Sequence, residues 1–89
     1  MIILKHVEHE IRDTDELIKL QIHLMEASSK IDGVILLDIY FPAEKEEFVI
    51  ALDCESEEKY ISWNEICPSP DGANDWYEIW LTKADKFIT

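Results

Sequence analysis

The sequence predicts one α+β domain spanning residues 1–89: a mostly antiparallel sheet of about five strands, in the order β-α-β-β-β-β, with one helix packed on one face. Three observations carry that expectation. A chain of 89 residues has room for one core. A helical apolar period runs from Leu17 to Ile31 behind a strong start signal. Beyond Gly33, short apolar stretches alternate with polar turns too brief for parallel crossovers.

Residues 2–11, IILKHVEHEI, place Ile3, Val7 and Ile11 on one parity, as a strand does. Asp13 then offers a helix cap, with Glu16 three residues on to reach back as in a capping box. Leu17, Leu20, Leu24, Ala27 and Ile31 form one stripe, and Ile18, Ile22 and Met25 a second beside it. Together they cover more than half of the circumference, which predicts a mostly buried helix. Lys19, His23, Glu26 and Lys30 fill the polar arc, and Gly33 supplies the stop.

GVILLDIYF is apolar on both parities, as a central strand is. PAEKEE connects it to a further strand, FVIALDC. ESEE reads as a turn into KYISWNEI, where Ile61 and Trp63 share a parity and are expected in the core. The breaker-rich loop CPSPDGAND follows. In WYEIWLT, Tyr77, Ile79 and Leu81 alternate with Trp76, Glu78 and Trp80. KADKFIT adds a short edge segment or stays loose.

The 20 acidic residues outnumber the 8 Lys and Arg, for a net charge of −12. Direct binding to nucleic acid or anionic lipid is thereby disfavoured, and attraction to basic surfaces favoured. Hydrophobic residues make up 47% of the chain, which argues against disorder. The longest apolar run, Phe48–Leu52, is far short of the ~20 residues that span a bilayer. MIILKHVEHE has no secretory pattern, and two cysteines are too few for a disulfide scaffold, so a cytoplasmic protein is expected.

Chemistry-bearing signatures are absent. His6, His9 and His23 with Cys54 and Cys67 have no metal-ligand spacing, and DGAND lacks that of a calcium loop, so no metal or cofactor is expected. Cys54 and Cys67 both stand beside carboxylates, which work against a reactive thiolate. There is no G-x-S-x-G elbow and no glycine-rich phosphate loop. The sequence therefore does not predict an enzyme.

Charge is the remaining guide. Residues 44–78 carry a net −9, against −4 for residues 1–43 and +1 for the last eleven. In a meander, Glu44, Glu46, Glu47, Asp71 and Asp75 share one rim. If Tyr77, Ile79 and Leu81 meet the helix, Trp76 and Trp80 lie on the open face with Glu78 between them; otherwise a curled sheet buries both rings. Tryptophan among carboxylates is the composition of a hot spot for a basic partner. The expected partner-binding set is thus Glu44, Glu46, Glu47, Asp71, Asp75, Trp76, Glu78 and Trp80. The function expected is a small acidic inhibitor, an immunity protein, antitoxin or phage anti-defence protein. It would neutralise a basic nuclease or nucleic-acid-binding enzyme by carboxylate mimicry of phosphate, and be a monomer or weak homodimer when free. The alternatives are a non-catalytic interaction or assembly module and an enzyme of unknown type.

Overall fold

The computed structural model describes residues 1–11, 13–42, 46–70 and 72–80. The elements follow as β1 (Ile2–Glu8), α1 (Thr14–Lys30), β2 (Val34–Tyr40), β3 (Phe48–Cys54), α2 (Glu57–Ile66) and β4 (Asn74–Trp80). The four strands form one antiparallel sheet in the order β2-β3-β1-β4. Each helix therefore joins two strands that are not neighbours. β3 lies between the ends of the β1-α1-β2 unit, and β1 between those of the β3-α2-β4 unit. This is the interleaved β-α-β-β-α-β arrangement rather than a meander.

The α+β class and the antiparallel sheet match the sequence reading; the strand at 59–66 does not. That segment is helix α2, capped by the Ser56 hydroxyl, which accepts from the Lys59 N–H at 3.3 Å. Glu57 and Glu58 sit in its first turn, where the helix dipole favours acids. Tyr60, Trp63 and Cys67 recur at spacings of three and four and point into the core. Trp63 is in the core as expected, but not through a parity shared with Ile61, which is exposed.

A second helix on the same sheet face changes what α1 has to cover. Leu24 and Ala27 are buried, with Leu20 and Ile31 packed beside them, while the stripe of Ile18, Ile22 and Met25 is exposed. β2 is an edge strand, not a central one. Its register shifts between Leu36 and Asp38, and Ile35, Leu37 and Tyr40 remain exposed. At Gly33, φ is 89°, and an added Cβ would meet the Glu55 side chain, so the expected helix stop is also a required glycine.

The core lies between the sheet and both helices, with Ile3, Val7, Phe48, Ile50 and Leu52 beneath Leu24, Tyr60 and Trp63. Lys5 is buried among them at 2% exposure. Pairing of β1 with β4 sets Ile79 opposite Ile3 and Tyr77 opposite Lys5, on the helix side. Trp76, Glu78 and Trp80 consequently lie on the open side, one of the two arrangements that the sequence left open. Leu81 and the expected terminal segment at 83–89 lie outside the described residues.

The tryptophans therefore differ in what they contribute. Trp63 is fully buried and donates its Nε1–H to the Ser28 Oγ at 3.2 Å. Trp63→Ala should cost about 3–5 kcal/mol of unfolding free energy. Trp76, 44% exposed and stacked on His6, should cost about 1 kcal/mol when truncated. Urea unfolding of both variants checks the order, and a larger loss for Trp76→Ala would contradict this account of the core.

Candidate functional site

β1 ends at Glu8, and the chain turns with the His9 N–H donating to the Val7 carbonyl at 3.0 Å. Asp13 caps α1 by accepting from the Glu16 N–H at 2.8 Å. The expected reciprocal contact of a capping box is replaced. The Glu16 carboxylate instead meets His9, with Oε1 2.6 Å from Nε2. A neutral imidazole that gives its Nε2–H to Glu16 keeps its lone pair on Nδ1. The carboxylate orients the ring.

This pair stands on the wall of a cavity of about 370 Å³. Ile11, Leu20, Phe48 and Pro70 supply its apolar lining, and His9, Glu16, Lys19 and His23 its polar groups. Glu16, Lys19, Leu20 and His23 recur at three- and four-residue spacing, so one face of α1 forms one wall. A mostly apolar cavity with a few convergent polar groups is the usual form of a small-molecule site, and this volume is near the low end of the range.

His9 also borders a second, wider groove of about 640 Å³, lined by Glu8, Glu10, Glu46, Glu47 and Trp76. Three of the residues expected in a binding face, Glu46, Glu47 and Trp76, are thus brought together. The others separate. Asp75 accepts from the Ser69 hydroxyl at 2.8 Å and lies 3.7 Å from the Lys5 Nζ. Glu78 is 2.6 Å from the Nε2 of His6, whose ring stacks on Trp76 with centroids 5.0 Å apart. Trp80 pairs opposite Ile2 on the open face. Glu44 and Asp71 lie outside the described residues.

The remaining titratable groups do not extend the site. Cys54 and Cys67 are free and buried. Burial pushes the Cys54 thiol up to about 11 and that of Cys67 upward as well, which leaves both weak nucleophiles. Among the described residues, no group of three or more His, Cys, Asp or Glu is placed to hold a metal ion. No helix among them is long and apolar enough to cross a membrane. His9 and Glu16 were legible in the sequence only as a surface histidine and a capping residue. The signal for the site is that Glu16 begins a polar row continued by Lys19 and His23.

The sequence matches no protein-family profile and no curated protein. The fold is shared with solved structures. One is a putative antibiotic biosynthesis monooxygenase from Nitrosomonas europaea, at a TM-score of 0.52 and 16% identity, covering 92% of this chain and 100% of that one. Another is a heme-degrading protein from Mycobacterium tuberculosis, heme-free, at 0.54 and 20%, covering 92% and 98%. Identities this low establish the fold alone.

These likenesses correct the functional expectation. The solved structures that share the fold bear the names of a monooxygenase and a heme-degrading protein, which runs against the expected inhibitor, immunity protein or antitoxin. The reading as a non-enzyme, the non-catalytic assembly module and the basic protein partner are corrected with it. The geometry supplies a physical reason. Asp75 and Glu78 are engaged by Lys5, Ser69 and His6, so they do not stand out as phosphate surrogates. Heme itself does not fit the cavity. About 370 Å³ suits a molecule well below a tetrapyrrole in size.

Lys5 gives this arrangement a measurable pH signature. Its ammonium donates to the Asn64 Oδ1, lies near Asp75 and sits 5.7 Å from the Trp63 ring centroid. Burial still pushes its pKa below the ordinary 10.5. Between the folded value and 10.5 the unfolded chain binds more protons, so stability carried by Lys5 rises with pH and is complete above 10.5. Cys54, Tyr60 and Cys67, all pushed up by burial, work in the opposite direction in any variant that retains them. The unfolding free energy of wild type minus that of Lys5→Met should therefore rise toward pH 10.5. A difference that stays flat would show that the lysine is not desolvated.

Proposed function

We propose that the chain is a small enzyme that encloses an apolar, ring-bearing molecule in the cavity and removes a proton from it with His9. Glu16 holds the imidazole and balances its charge. The observation that carries this reading is the His9–Glu16 contact of 2.6 Å on the wall of an otherwise apolar cavity. A positioned base typically contributes ~10²–10⁴-fold, and excluding water strengthens its interaction with the substrate.

The fold shared with a putative monooxygenase supports oxygenation as the reaction class. A substrate with an activated methylene needs no other reductant: R₂CH₂ + O₂ → R₂C=O + H₂O. His9 takes one methylene proton, the resulting carbanion gives electrons to dioxygen, and the second methylene hydrogen leaves in water. The groove that shares His9 is proposed as the approach, with Glu46, Glu47 and Trp76 lining it. The free thiols of Cys54 and Cys67 support a reducing, cytoplasmic setting.

The first step can be read without turnover. Anthrones carry a methylene activated by two rings and a carbonyl, and its exchange for deuterium is visible by NMR. The protein should accelerate that exchange. His9→Gln should lower the acceleration by about 10²-fold or more, and Glu16→Gln by a smaller factor. Equal rates for wild type and His9→Gln would remove His9 as the base and the proposal with it.

A further inference from the structure

The outer face of α1 carries an apolar row that the fold leaves uncovered. Ile18, Ile22 and Met25 are 46%, 51% and 64% exposed and stand at three- and four-residue spacing. They point away from Leu20, Leu24 and Ala27, which face the core. Toward β2 the apolar surface continues as a groove of about 410 Å³, which Met25, Leu37 and Phe41 help to line. Contiguous exposed apolar surface of this kind marks a contact surface.

The two flanks of the row say what the contact is. At about 100° per residue, Thr14, Gln21 and Ser28 fall on the flank toward β2, and all three are uncharged. Asp15, Lys19, Glu26 and Lys30 fall on the other flank, and none forms an ion pair among the described residues. Along the helix they run acid, base, acid, base. Read backwards, that order is its own complement.

We infer that α1 packs antiparallel against α1 of a second copy of this chain. With the two-fold axis between positions 22 and 23, Ile22 meets the partner's Ile22, and Ile18 meets the partner's Met25. An antiparallel pair brings like flanks together, so Lys19 faces the partner's Glu26 and Asp15 faces the partner's Lys30, each contact occurring twice. A parallel pair would instead set the charged flank against Thr14, Gln21 and Ser28, with no ion pair gained. The net charge of −12 opposes self-association, but this flank is itself neutral, with two acids and two bases. Lys19 also lines the cavity, so the contact brings the partner's Glu26 beside its rim.

Charge reversal tests both the contact and its direction, because Lys19 and Glu26 are exposed and their replacement leaves the core intact. In sedimentation across a dilution series, Lys19→Glu or Glu26→Lys alone should weaken self-association by about tenfold or more, since each sets like charges opposite one another twice. An equal mixture of the two variants should restore it, as every opposed pair is then of opposite sign. Ile22→Cys should form a disulfide-linked dimer with diamide, the native thiols being buried, whereas Ile18→Cys should not. A wild type that stays monomeric up to about 1 mM overturns the inference. So does self-association that both single variants leave unchanged, which belongs to another face. Equal cross-linking at positions 18 and 22 overturns the antiparallel arrangement, and a mixture no stronger than the single variants overturns the pairing of Lys19 with Glu26.

Discussion

The burial of Lys5 in the middle of β1 is the constraint on which the arrangement turns. A desolvated ammonium is costly unless hydrogen-bonded and paired. Asn64 from α2 accepts its hydrogen bond, Asp75 from β4 supplies the opposite charge, and Trp63 covers it. One side chain thereby ties a central strand to the second helix and to an edge strand. The contact with Asn64 fixes α2 against the sheet, and α1 packs beside it on the same face. The lining of the cavity comes from α1, the β1–α1 turn, the start of β3 and Pro70 after α2.

What the sequence showed and what it concealed follow from range. The cap at Asp13, the helix behind it and the turn at Gly33 are local features, and each is where the pattern places it. The strand expected at residues 59–66 failed because ten residues carry few periods. Tyr60, Ser62 and Asn64 alternate as a strand would, while Tyr60, Trp63 and Cys67 recur as a helix would. Ser56 ahead of two glutamates was the deciding cap, and it reads equally well as a turn. Strand order was hidden for a different reason: the pairing of β1 with both β3 and β4 is set by contacts far apart along the chain.

The site was hidden by the same distance. His9 and Glu16 are seven residues apart across a turn, and Phe48 and Pro70 reach the cavity only once the sheet and α2 have closed around it. Composition pointed elsewhere because net charge says nothing of where each charge goes. Of the acids expected to face a partner, Asp75 and Glu78 are engaged by groups of this chain, and Glu46 and Glu47 border a groove that meets the cavity at His9. An acidic surface is thus compatible with an apolar, partly enclosed site, since the two occupy different parts of the fold.

A comparison within the molecule shows why the cavity matters more than the histidine. His6 and Glu78 form a contact of the same length as His9 and Glu16, 2.6 Å in each case. The His6 ring lies flat against Trp76, and its Nδ1 is buried without a hydrogen-bond partner among the described residues. A lone pair closed off in this way has no room to receive a proton from a ligand, so that pair serves the packing of β1 against β4. His9 has the same carboxylate support, but it stands where two hollows meet. The chemistry of imidazole and carboxylate is common to both positions. Space beside the base is what separates a site from a surface contact.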